Sequence, residues 1–563
     1  MQRSPFRVLF REFLFRIVDL EILASRGDLT KLLGQLAALV AAISLMVAGG
    51  ARRFAESNIA DADVVVAAWP MIHFLIATTM LMVGLFAILS WDSMFPDRRD
   101  ALVLGPLPLR AGTMFAAKLA ALGAAMGLTI LLGNTFTGLS YPAVLGARTG
   151  GFLGFLRIFA AYWLTMIAAG SFILGSVLAV QGIAAQLLPR RHFLRLSGFL
   201  QLAAFCLLIS VYFLQPPMAA PGPLTDPQRQ GLLSRLPSYW FLGLFGQLSG
   251  ETHPALAPLA RRAALGWALV IVGATVAFLL SYFRTLKKIV DEPDIVPGAS
   301  GKPWRLPFSD SLQAAIIGFS IRTMLRSRQH RVILALYLGI GGAIALACAR
   351  AVLYGKARHH WNSMDGPLLI GSIIILCFSM IGVRVVFTMP IALKANWTFR
   401  ITAIRPTGDY LKALRRALLV LAALPIWIAG AALFITIWPL PQAVGHLIVL
   451  VLLGEILADF CVHGLRKIPF TCSYLPGKAN IHLAFGASAL LLVILTDIFA
   501  IIERNALQDP VRYLKLLAFL AVVKFWTYRR NARPHLFPEL VFEESPLQDI
   551  HALDLHRDGA TVR

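Results

Sequence analysis

The chain has 563 residues, 58% of them apolar and 14% charged, with 52 Lys and Arg against 29 Asp and Glu for a formal charge of +23. A soluble globular chain carries about 25% charged residues, so the composition excludes a water-soluble enzyme as the main body and points to lipid as the solvent. The basic excess would suit nucleic acid as well as membrane loops, and the clustering of charge between long apolar runs decides for the membrane.

Residues 5–24 set Phe6, Leu9, Phe10, Phe13 and Ile17 against Arg7, Arg11 and Arg16. That spacing predicts an amphipathic helix lying in the headgroup plane. The same arginines interrupt the apolar core that a cleavable signal peptide requires.

Apolar runs long enough for a bilayer core of about 30 Å follow. They are placed near 32–49, 64–90, 113–132, 158–187, 196–214 and 264–282, then, after a long polar connection, near 332–353, 368–389, 418–438, 443–463, 481–502 and 514–526. With the N-terminus inside, about 37 Lys and Arg fall on the inner side and about 14 outside, as the positive-inside rule requires. Both termini are therefore predicted to be cytoplasmic.

The expected fold is all-α, a polytopic membrane protein with about 12 transmembrane helices in two six-helix halves. A second amphipathic segment at 310–328, with Leu312, Ile316, Phe319 and Met324 on one side and Arg322, Arg326 and Arg328 elsewhere, precedes span seven as 5–24 precedes span one. The layout places a first membrane half at 1–290 and a cytoplasmic linker at 291–308, where Pro293, Pro297, Gly298, Gly301 and Pro303 break regular structure. A second half spans 309–528 and a cytoplasmic tail 529–563.

The loop after span two, 91–118, reads WDSMFPDRRDALVLGPLPLRAGTMFAAK. It packs Asp97, Arg98, Arg99 and Asp100 beside a short apolar segment closed by Pro106 and Pro108. Such a loop suits either a plain charged anchor or a short helix offering a charged edge to a cytoplasmic partner. The corresponding second-half loop, 395–416, reads ANWTFRITAIRPTGDYLKALRR and differs in nearly every residue.

An N-terminal interfacial helix, a span pair, a Phe-Pro-Asp-Arg-Arg-Asp stretch, Leu-Pro-Leu-Arg and a Lys-containing span resemble the permease subunits of ABC exporters of the type-2 group, here with two six-span halves fused. The resemblance implies that the first loop holds a coupling helix docking on a separate ABC ATPase subunit through Asp97, Arg98, Arg99, Asp100, Leu107, Pro108 and Arg110. In the second half the corresponding positions are Asn396, Trp397, Arg400, Arg405, Pro406 and Asp409. It implies a bacterial inner-membrane exporter of a hydrophobic or amphipathic small molecule or lipid. ATP and Mg would sit on the partner, with no cofactor and no metal in this chain and no nucleic-acid partner.

The chain is expected not to be an enzyme. Pro476-Gly477-Lys478-Ala479 lacks both the upstream glycine and the following Ser or Thr of a phosphate loop, and Gln247-Leu248-Ser249-Gly250 falls on the outer side. Five cysteines, Cys206, Cys348, Cys377, Cys461 and Cys472, show no CxxC spacing and read as packing residues. The outer connection 215–262 gathers Pro237, Tyr239, Trp240, Phe241 and Phe245. These suit interfacial anchors or, as the resemblance favours, a short re-entrant or interfacial helix at an outer gate.

Ionisable groups inside apolar spans are costly and often functional. His73, Arg384, Glu455, Asp459 and Asp497 qualify, and Glu455, Asp459 and His463 share one helix face at four-residue spacing. An ion-coupled secondary transporter would put Glu455, Asp459 or Asp497 on its ion path. A membrane-embedded glycan or lipid transferase would need a catalytic outer loop, and Asp226, Glu251, His253, His359 and His360 form no recognisable arrangement.

Overall fold

The structure, a computed structural model, describes residues 4–18, 40–56, 60, 64–91, 93–95, 103–104, 106–215, 231, 233–291, 311–354, 366–389, 408–463, 468–470 and 481–531. Every regular element among the described residues is helical. Nine helices or joined helices there are long and apolar enough to cross a membrane, so the chain is a multi-pass membrane protein by length and composition. Of the three other expected spans, the first begins in residues outside the described set, and the eleventh falls in the helix Ile481–Leu507, whose side chains are described only from Leu491 on. The last falls in a helix whose charges at Arg512, Lys515 and Lys524 exceed what an apolar crossing carries.

The chain divides into two compact units: Met1–Pro303 with Gly342–His359, and Trp304–Gly341 with His360–Arg563.

Unit 1 begins with α1, Pro5–Val18. Its Leu9, Phe13 and Ile17, one turn apart, are buried in the core of the unit while Arg7 and Arg11 stay exposed. Then come α2 (Val64–Leu89), α3 (Ala111–Asn134) and α4 (Thr137–Leu187), and α1 packs along α3. α4 is broken at Gly150 and Gly151, the latter at φ +62, where a side chain would be strained. Gly146 lies against the Phe155 backbone beyond the break, so 137–149 folds back on the rest of α4.

α5 is Arg190–Leu214, α6 Pro237–Ser249 and α7 Leu256–Asp291. α6 starts with a proline whose missing N–H is harmless at that position, and it ends at Gly250 in the left-handed conformation, φ +87. Its Tyr239, Phe241 and Phe245 are buried, packed among α2, α4 and α7. The aromatic segment of the connection 215–262 is therefore a core helix of unit 1. Small residues let helices close up where no hydrophobic effect drives them together. A Cβ at Gly182 of α4 would meet the Ala277 backbone of α7 at 2.9 Å.

Unit 2 holds α8 (Ser311–Arg326) and the start of α9 (Arg328–Tyr354), whose later residues belong to unit 1. α8 buries Ile317, Ser320, Thr323 and Met324 and packs on α11, while Ile316 and Phe319 are half-buried. Of the expected apolar face, Met324 is buried and Ile316 and Phe319 are half-buried, with Ile317, Ser320 and Thr323 beside them buried as well.

Next are α10 (Gly366–Phe387), α11 (Gly408–Leu418) and α12 (Leu424–Ile437), the last two joined by a π turn at Leu419–Ala423. Pro425 opens α12, and its absent N–H accounts for the widened turn before it. α13 (Leu440–Val462), α14 (Ile481–Leu507) and α15 (Pro510–Asn531) complete the unit, with α10 packed on α13 and α14, and α13 on α15.

Candidate functional site

The loop after α2 is mounted on unit 1 by buried polar contacts at its base. α2 ends at Leu89, and the backbone there is held by neighbours: Gln201 Nε2 of α5 donates to the Ile88 carbonyl at 2.7 Å, and Gln181 Nε2 of α4 donates to the Trp91 carbonyl at 2.9 Å. Trp91 Nε1 donates to Ser197 Oγ of α5 at 2.9 Å, and Ser90 Oγ donates to the Ile17 carbonyl of α1 at 3.4 Å.

Further along, Lys118 of α3, 3% exposed, donates from Nζ to the Phe95 carbonyl at 2.6 Å. Its ammonium lies 5.3 Å from the Phe13 ring centre of α1. A buried ammonium needs such partners. One loop base is thereby tied to α1, α3, α4 and α5.

Of the predicted docking residues, Leu107, Pro108 and Arg110 are exposed, and Arg110 is the residue before α3. Asp97, Arg98, Arg99 and Asp100 lie outside the described residues, as do Asn396, Trp397, Arg400, Arg405 and Pro406. Asp409 sits in the first turn of α11, which runs on to Arg415.

In unit 2, Glu455 and Asp459 of α13 meet cations from two other helices. Arg415 Nη2 donates to Glu455 Oε2 at 3.0 Å, and Arg415 Nε lies 2.8 Å from Asp459 Oδ1, an ion pair with its N–H turned off the oxygen. Lys524 of α15 lies 2.7 Å from Asp459 Oδ2 and 3.2 Å from Glu455 Oε2, and Thr527 Oγ1 donates to Asp459 Oδ2 at 3.1 Å. Asp459 is 2% exposed. Among the described residues, two acids thus meet two cations, joining α11, α13 and α15. His463, whose backbone N–H donates to the Asp459 carbonyl, has Nε2 2.9 Å from Arg530 Nη2.

Asp497 faces outward on α14 among exposed Ile494, Leu495 and Ile498. Arg384 has a buried Nη1 without a hydrogen bond among the described residues. His73, in unit 1, lies 3.1 Å from Ser238 Oγ and stacks on Tyr239 at 4.0 Å, while Ser238 donates to Gln215 Oε1 at 3.0 Å.

Sequence reasoning missed the pair His446–Glu503. His446 Nδ1 lies 2.7 Å from Glu503 Oε1, both residues fully buried, and Nε2 lies 2.9 Å from Ser372 Oγ. Phe434 and Trp438 stack on each other and meet the imidazole edge to face. His446 was legible as an ionisable group inside the predicted span 443–463, whereas Glu503 falls one residue past the predicted end of span eleven. Among the described residues no three His, Cys, Asp or Glu gather in a metal-binding group.

No protein-family model, no curated protein and no solved structure matches this chain.

Proposed function

We propose that the chain is the transmembrane permease subunit of an ATP-driven exporter of the ABC type-2 kind in a bacterial inner membrane. Both termini would be cytoplasmic, and a separate ATPase subunit would carry ATP and Mg. The cargo is a hydrophobic or amphipathic molecule.

The observation that carries this reading is the mount of the loop after α2. A loop that only anchors a helix end to headgroups needs no buried polar ties at its base. Here side chains of α3, α4 and α5 grip its backbone or its Trp91, and Ser90 ties it to α1. A push on such a loop passes to several helices together, which is what coupling to an ATPase demands. The exposed Leu107, Pro108 and Arg110 leave the loop a face to offer.

An ion path through Glu455 and Asp459 is disfavoured, because the ion would have to displace Arg415 and Lys524 from both carboxylates. The deciding experiment is affinity purification of the full chain from its native membranes. An ATP-hydrolysing partner should copurify, and alanines at Asp97, Arg98, Arg99 and Asp100 should release it while the chain stays in the membrane. Transport by the chain alone in liposomes without ATP would overturn the reading.

A further inference from the structure

The last turns of α15 carry two side-by-side pairs of the same design. The Arg529 guanidinium lies 4.6 Å from the Phe525 ring centre, and that of Arg530 lies 5.5 Å from Trp526. Each pair is spaced by four residues, so a single helical turn sets cation over ring. Both rings face outward, at 56% and 55% exposed, and Val522 and Phe519 continue the apolar surface back along the helix as far as exposed Lys515.

An outward apolar stripe ending in aromatic rings and cations has the order of groups that a phospholipid presents: chains, then headgroup. The ring contact holds each guanidinium at the helix surface, where its remaining N–H groups can meet phosphate oxygens, which a planar fork binds in bidentate fashion. Arg530 is steadied further by His463 Nε2 at 2.9 Å. Asp459, the acid deeper in this helix pair, is already engaged by Lys524 and Arg415.

We propose that the C-terminal end of α15 is a binding site for one anionic phospholipid. Its phosphate sits on Arg529 and Arg530, and its acyl chains lie along Phe519, Val522 and Phe525. The site stands independently of the transport role, since it needs only the membrane.

The test is lipid retention by the purified full chain, measured by native mass spectrometry after exposure to phosphatidylglycerol or phosphatidylcholine. The wild type should hold phosphatidylglycerol at roughly thirtyfold lower lipid concentration than phosphatidylcholine, as two surface arginines imply. The double variant Arg529→Gln/Arg530→Gln should lose that preference, and Arg512→Gln at the opposite end of α15 should keep it. Equal retention of both lipids by the wild type, or an unchanged preference in the double variant, would overturn the site. So would release of the lipid by millimolar inorganic phosphate, which would mark a free-anion site. If the double variant fails to fold, Arg529→Lys keeps the charge, loses the fork and should weaken the preference in part; an unaltered preference there also counts against it.

Discussion

Lys524 Nζ lies 2.7 Å from Asp459 Oδ2, and the carboxylate is almost wholly removed from solvent. Charge inside a helix bundle is tolerated when every oxygen finds a cation or hydroxyl, and Arg415 and Thr527 supply the remainder. This group of side chains tells what α13 and α15 do for each other.

Removing one partner leaves the other charge buried. Asp459→Ala should therefore destabilise unit 2 by about 3–5 kcal/mol. The double replacement Asp459→Leu/Lys524→Met, which removes opposite charges together, should cost clearly less. Thermal unfolding of the purified chain in one fixed detergent checks both, and equal losses would show that the pair is not a unit.

Lys118 is the tie between α3 and the first loop. Lys118→Met keeps the stem and deletes the donor to the Phe95 carbonyl, so about 1–3 kcal/mol of local stability should go. Under the proposed function the variant should insert normally yet couple poorly, with less transport per ATP hydrolysed in the reconstituted complex. Unchanged coupling would separate the mount from the transport cycle.

Around His446, Glu503→Ala removes the acceptor at buried Nδ1 and leaves that nitrogen without its carboxylate, which should cost about 2–3 kcal/mol. Ser372→Ala removes one hydrogen bond at the other ring nitrogen, worth about 1 kcal/mol. The ordering of the two melting temperatures is the measurement, and a Ser372→Ala loss as large as that of Glu503→Ala would contradict it.

Gly151 turns the chain between the two arms of α4 at φ +62. Gly151→Val puts a β-branched residue at φ +62 and ψ −133, a backbone conformation that side chains other than glycine's rarely adopt, at a cost of about 1–3 kcal/mol. Proteolysis should then open the 137–163 hairpin faster than in the wild type. A valine tolerated without change would mean the turn can re-form with another backbone.

Topology is open to direct assay through Leu107, which is exposed. Leu107→Cys should react with a membrane-impermeant maleimide in inside-out vesicles and not in intact cells. Labelling from the periplasm would reverse the orientation on which the proposed function depends.

Much of the helix pattern could be read directly from composition and periodicity. Predicted spans at 64–90, 368–389 and 443–463 match helices Val64–Leu89, Gly366–Phe387 and Leu440–Val462 within a few residues, because a bilayer demands unbroken apolar length. Break points are harder to read: α4 runs through the predicted loop between spans three and four as a folded-back helix, since only Gly150 and Gly151 interrupt it. The aromatic run at 237–245 reads from sequence as interfacial anchors or a short re-entrant or interfacial helix, and burial of Phe241 and Phe245 is visible only with α2, α4 and α7 in place.

The amino-acid order alone determined the solvent, the helical class and the amphipathic helix at the start, for these follow from how apolar and basic residues succeed one another locally. Tertiary structure alone decided that Glu455 and Asp459 meet Arg415 and Lys524, that His446 meets Glu503, and that Asp497 faces outward. Periodicity fixes which residues share a helix face, but the partner of a face lies tens of residues away and is chosen by packing of the whole unit.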